Sequence, residues 1–159
     1  MKEFRQTGMR QHMLDCHGVR VIEDCYNANP TSMRAALEMF KDYPCKRRFA
    51  VLADMLELGD EARTEHEELG RLVAQSGIDC LITYGELAHR TATVAAAKGV
   101  RTIHAHSYEE IAGFLAKITV PGDAVLFKGS RAMALENAVQ QLQALKDAEA
   151  IAAENSENS

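Results

Sequence analysis

Five short apolar runs alternate with five segments of helical period, and only short turns join them. That alternation is what most constrains the fold. Strand–helix–strand units with short connections cross over right-handedly and lay successive strands parallel. The runs cover residues 19–26, 48–55, 79–84, 100–105 and 124–128. Their cores read AVLA (50–53), CLIT (80–83) and AVLF (124–127), apolar at both parities, as expected when both sheet faces are covered. The expectation is an α/β, Rossmann-like three-layer domain. It has a mainly parallel sheet of about five strands with helices on both faces, and residues 9–15 supply a possible antiparallel edge strand leading into Gly18.

Local signals set the helix boundaries. Asn29 and Pro30 read as the cap and first position of a helix over 30–43. Thr64 with Glu67, and Ser107 with Glu110, read as capping boxes for helices over 64–76 and 107–118. Gly77 and Gly99 stop the helices that precede them, and a last helix is expected over 132–146. Residues 148–159 lose periodicity and fill with Glu, Asn and Ser, so the domain is expected over 1–147 with a frayed tail after it.

Bulk properties narrow the classes. A net charge of -5 points to neither a nucleic-acid nor a membrane surface. No apolar run reaches bilayer-spanning length, and the first residues lack a signal-peptide core. The expectation is a cytoplasmic, monomeric chain, or a piece cut from a longer one. The cysteines at 16, 25, 45 and 80 form no CxxC pair and read as reduced thiols.

In an open parallel sheet, ligands bind beyond the carboxyl ends of the strands. Those ends carry Asp24 to Asn27, Asp54 to Gly59, Tyr84 to Glu86, His104 to His106, and Lys128 to Arg131. Asp24 fits either a ribose-hydroxyl acceptor or a turn cap. Asn27 and Asn29 fit ligand contacts or the turn into Pro30. Asp54 fits a ligand contact or a loop cap. Lys128-Gly129-Ser130-Arg131 leads into the expected last helix, whose N-terminal amides and dipole favour an anion. The same stretch also reads as a capped helix with two solvated bases. His104 and His106 point the same way along a strand, but no third ligand stands out, so no metal site is assigned. No GxxxxGK[ST] phosphate loop, GxGxxG, GxSxG or HExxH occurs. The chain therefore reads as a ligand-binding domain without a complete catalytic apparatus of its own.

The strings GMR (8–10), DCYNANPTSMRAAL (24–37), VLADMLELG (51–59), HEELG (66–70) and FKGSRAMALE (127–136) are more specific. In order and spacing, from Gly8 to Leu145, they resemble the carboxy-terminal domain of the Mur ligase family, in its D-alanyl-D-alanine-adding branch. One departure is Ala53, where the family string carries glycine; a methyl there would crowd a turn of positive φ. The resemblance implies an ATP-dependent peptide ligase of peptidoglycan synthesis that joins D-alanyl-D-alanine to UDP-N-acetylmuramoyl-tripeptide through an acyl phosphate. It implies two further domains, one binding the UDP-substrate and one carrying the phosphate loop and most Mg2+ contacts. It implies that Arg10, Asp24 and Asn27 face ATP and that Tyr26, Asn29 and Ser130 face substrate. Lys128 and Arg131 would act catalytically on the dipeptide carboxylate or the developing charge. Two other readings remain: a free-standing, non-catalytic nucleotide-binding or docking module, and a folylpolyglutamate-synthase type of ligase, against which the YNANP string argues.

Overall fold

A computed structural model describes residues 11–158. Arg10 lies outside the described residues. Among the described residues six strands form one sheet: β1 (His12–Cys16), β2 (Val19–Asp24), β3 (Arg48–Ala53), β4 (Cys80–Tyr84), β5 (Arg101–Ala105) and β6 (Ala124–Lys128). Their order is β1-β2-β6-β3-β4-β5. β1 runs antiparallel to β2 as an edge strand, and every other pairing is parallel. Among the described residues the five α-helices are α1 (Pro30–Lys41), α2 (Ala62–Ala74), α3 (Ala88–Ala97), α4 (Tyr108–Ile118) and α5 (Glu136–Glu157).

Alternate strand residues feed two cores, one on each sheet face. Ile22, Ala50, Leu52, Leu81 and Leu126 pack with Met33, Leu37 and Phe40 of α1 and with Leu69, Val73 and Ala95 of α2 and α3. Val21, Phe49, Val51, Ile82, Val125 and Phe127 pack with Ile111 and Leu115 of α4 and with Ala138, Val139 and Leu142 of α5. β6 is last in sequence yet lies between β2 and β3. The return from β5 to β6 carries α4 across the face opposite α1, α2 and α3, where α5 packs beside it, and a topological switch point lies at the tip of β6.

Some local signals acted as expected. Asn29 Oδ1 accepts the Ser32 N–H at 2.8 Å, and Ser32 Oγ accepts the Asn29 N–H at 3.0 Å. Ser107 Oγ accepts the Glu110 N–H at 3.0 Å, but the Glu110 carboxylate takes the His106 backbone N–H at 2.6 Å, so the box expected there is half formed. The box expected at Thr64 and Glu67 is absent. A 3-10 turn over Gly59–Glu61 runs straight into α2, so the first amides find carbonyls rather than side chains. Ala53 also differs from expectation. It sits in extended β3, while the positive φ angles of that loop fall at Glu57 (65°) and Gly59 (58°).

The carboxy-terminal end differs in two ways. α5 begins at Glu136, after a 3-10 turn over Arg131–Met133 and a left-handed Ala134. It then continues to Glu157, where a frayed tail was expected, with residues 151–158 all exposed. Alanine-rich sequence sustains the helix there without a packed face.

The start of β6 is fixed by Asp123. Its Oδ2 accepts from Arg47 Nη2 at 2.7 Å and from the Val120 N–H at 2.9 Å, and its Oδ1 accepts from Arg47 Nε at 3.1 Å. Burial alone would raise this carboxyl's pKa, but Arg47 and the Val120 amide outweigh it and hold it below the usual range. A lowered folded pKa stabilises above the unfolded value of about 3.9, and that stability is lost as pH falls through the folded value. Asp123→Asn is therefore expected to cost about 1–3 kcal/mol at neutral pH. Urea denaturation should show the gap to the parent chain narrowing below the unfolded carboxyl value.

Candidate functional site

The parallel register sets Asp24 beside Lys128, and Lys128 beside Leu52. The Lys128 ammonium lies 3.1 Å from Asp24 Oδ2 and donates to the Asn27 carbonyl at 2.9 Å. Gln11 Nε2 donates to the same Asp24 oxygen at 3.4 Å, and the buried Gln11 Oε1 has no partner. Asp24 is 3% exposed and Lys128 2%. The acid and the base thus meet, but as an internal ion pair and not as the walls of an open crevice. Opposite charges side by side in a desolvated strand layer satisfy each other first.

Tyr26 and Asn27 remain exposed beyond this pair. The Arg131 guanidinium lies over the Tyr26 ring, 5.3 Å from its centroid. With His12, Glu23, Cys25 and Glu136 they border an open groove of about 340 Å³. Burial, followed by the nearby Glu23, Glu136 and Asp24, pushes the Cys25 thiol far up, which keeps it protonated and unreactive.

Two expected ligand groups serve the backbone. The Asn29 side-chain oxygen is held by the cap of α1. Ser130 caps no helix; its hydroxyl accepts the Leu56 N–H at 2.9 Å, and its own N–H donates to the Asp54 carbonyl at 3.0 Å. Because α5 starts at Glu136, the dipole argument for an anion at residues 129–131 does not hold. Gly129 has a different purpose: a Cβ there would fall 2.6 Å from the Ala53 Cβ, so the two strand exits touch.

A larger cleft, about 650 Å³, opens beyond β3, β4 and β5. Asp54, Tyr84, Glu86, His89, His104 and His106 line it. Asp54 acts as a loop cap, its Oδ1 accepting the Ala88 N–H at the start of α3 at 2.7 Å. Gly85, with φ +113°, is required where the backbone crosses that carboxylate. Among the described residues, no group of three or more His, Cys, Asp or Glu is placed to hold a metal ion.

A family model described as Mur ligase, glutamate ligase domain, matches residues 9–131. The chain belongs to the Mur ligase family. This Mur ligase domain is 36% identical, over 143 residues, to the UDP-N-acetylmuramoyl-tripeptide–D-alanyl-D-alanine ligase of Bacillus subtilis, covering 87% of the chain and 31% of that protein. It is likewise 36% identical over 136 residues to the same-named ligase of Mycobacterium leprae, covering 74% of the chain and 26% of that protein. The crystal structure of MurF ligase from Thermotoga maritima in complex with ADP superposes with a TM-score of 0.74 at 26% identity, over 86% of this chain and 31% of that one. MurF from Acinetobacter baumannii gives 0.75 at 29% identity, over 83% and 30%. The Mur ligase domain thus spans less than a third of these relatives.

Two groups in the domain were not anticipated from the sequence. His66 is fully buried; its Nε2 accepts the Met55 N–H at 3.0 Å and its Nδ1 donates to the Ala62 carbonyl at 2.7 Å. It pins the loop between β3 and α2, and its place on the apolar face with Leu69 and Val73 was the available signal. Gln11 was the other, and no pattern marks it.

Removing one partner of a buried ion pair costs about 3–5 kcal/mol. Lys128→Met should show a loss of that order in urea denaturation. Pairing it with Asp24→Asn should recover most of the loss, since no uncompensated charge then stays buried.

Proposed function

We propose that this chain is the carboxy-terminal part of an ATP-dependent ligase that adds D-alanyl-D-alanine to UDP-N-acetylmuramoyl-tripeptide in the cytoplasm, for peptidoglycan synthesis. The observation that carries the reading is the alignment with ligases of that name over most of the chain. The ADP complex of the Thermotoga maritima relative supports ATP as the nucleotide. Phosphate-loop and Mg2+ contacts belong to other domains, so the Mur ligase domain works as a closing face, as a monomer, and is inactive alone.

The reaction passes a γ-phosphoryl group to the tripeptide carboxylate. The dipeptide amine then attacks the acyl phosphate, and phosphate leaves as the amide forms. Such chemistry depends on positioning, charge neutralisation and exclusion of water, all of which suit a domain that closes late. Arg10 and Asn27 would meet the nucleotide at the face that closes. Tyr26 and Arg131 form the exposed part of that face, and the stacked guanidinium can turn toward a phosphate or carboxylate. Asp24 is paired through Oδ2 with Lys128, so a move of Asp24 toward ribose hydroxyls would loosen that pair and free the ammonium for the developing negative charge. Asn29 and Ser130 hold the two loops that shape the rim.

The test is phosphate release by the protein carrying all its domains, dependent on both UDP-N-acetylmuramoyl-tripeptide and D-alanyl-D-alanine. Arg131→Ala is expected to lower kcat/KM by about tenfold or more, near 1.4 kcal/mol, with an unchanged melting temperature. Asn27→Ala should raise KM for ATP. Unaltered kinetics in both variants would remove this face from the reaction.

A further inference from the structure

The stretch Arg131-Ala132-Met133-Ala134-Leu135-Glu136 is a run of good helix formers, and its sequence predicts a helix from residue 132. The structure breaks that run. A 3-10 turn covers Arg131–Met133, Ala134 follows in the left-handed region at φ 53° and ψ 45°, and only then does α5 begin. An L-residue resists that conformation, and here an alanine adopts it where a glycine would be at ease. Some contact must hold the turn against its own helix propensity.

The holding group comes from α4. Tyr108 Oη donates to the Met133 carbonyl at 2.7 Å. The same peptide unit, through the Ala134 N–H, donates to the Arg131 carbonyl at 3.0 Å. The Met133–Ala134 peptide plane is thus fixed at both ends, by Tyr108 from outside the turn and by Arg131 from within it. In a helix continued back from α5, the Met133 carbonyl would accept the Asn137 N–H. Here that N–H and the Asn137 side-chain amide go to the Ala134 carbonyl, at 3.1 and 3.0 Å. Tyr108 occupies the acceptor that the longer helix would need. Its own place is firm: it is the first residue of α4, behind the Ser107 cap, and its ring packs on Tyr84 of β4 with centroids 5.1 Å apart. Burial, then Tyr84, raises its pKa above the ordinary tyrosine value, so it remains a donor at neutral pH. Ser130 fixes the other end of the turn through the Leu56 N–H and the Asp54 carbonyl. Arg131 lies between these two tethers, with its guanidinium over Tyr26.

We propose that Tyr108 is a positioning residue: its hydroxyl withholds the Met133 carbonyl from α5 and so keeps Arg131 on a separate turn, facing the Tyr26 groove. Only the consequence for turnover rests on the function proposed above; the latch itself does not. Without the hydroxyl, the Met133 carbonyl is left to the Asn137 N–H, Ala134 relaxes into the right-handed region, and α5 extends back toward Arg131. Ala134→Gly acts in the opposite sense, because glycine is at ease in the left-handed region and poor inside a helix.

The test has two readouts. Backbone NMR chemical shifts of the 159-residue chain report the conformation of residues 131–135. Tyr108→Phe, which keeps the ring, is expected to move them toward helical values. The Tyr108→Phe/Ala134→Gly double variant should return them, and Ala134→Gly alone should leave them in place. Steady-state kinetics of the protein carrying all its domains report the consequence. Tyr108→Phe is expected to lower kcat/KM by roughly two- to tenfold, the worth of one hydrogen bond, and the double variant to recover most of that loss. Added to Arg131→Ala, Tyr108→Phe should cost nothing more, since it acts through that side chain. Unmoved shifts in Tyr108→Phe, or helical shifts that persist in the double variant, would overturn the proposal. So would changes spread across the sheet, which mark a packing role alone, or a kinetic loss that adds in full to that of Arg131→Ala. Helical shifts at 131–135 with unaltered kinetics would keep the latch and count against Arg131 in the proposed ligase.

Discussion

A lysine ammonium buried at the tip of a central strand determines much of what surrounds it. Lys128 is held by Asp24 on one neighbouring strand and by the Asn27 carbonyl just beyond it. This arrangement exists because the chain returns through α4 and inserts β6 between β2 and β3. The same return puts α4, with α5 beside it, on the other face of the sheet. The loop after β6 is then free to reach sideways, and Ser130 binds both Leu56 and Asp54 from the loop after β3. Three strand exits are fastened by a few polar contacts, so the rim has a defined shape before any ligand arrives.

Two recesses result, one on each side of that fastening. The Tyr26–Arg131 groove is open and bears a guanidinium resting on a ring. The histidine cleft is larger, and Asp54 of its lining ties the end of β3 to the first amide of α3.

The parallel sheet, its antiparallel edge and most helix boundaries were legible because they depend on period and on local caps, which adjacent residues encode. Asn29 and Ser107 illustrate this. Thr64 misled because tertiary chain direction placed a 3-10 turn ahead of it, and a cap is needed only where carbonyls are missing. The site was half legible. That Asp24 and Lys128 lie together follows from the strand-end rule. That they neutralise each other depends on strand order, which no local pattern records. The grouping of His89 with His104 and His106 likewise required knowing that β4 and β5 are neighbours.

Between Ala53 and Gly129 there is room for one methyl group and no more. The two positions lie far apart in sequence but share one small volume at the junction of β3 and β6. A second methyl would drive the strand exits apart and loosen the rim on both sides. The two positions are thus linked like a lock and its blank: with a methyl already at Ala53, position 129 has no room for another.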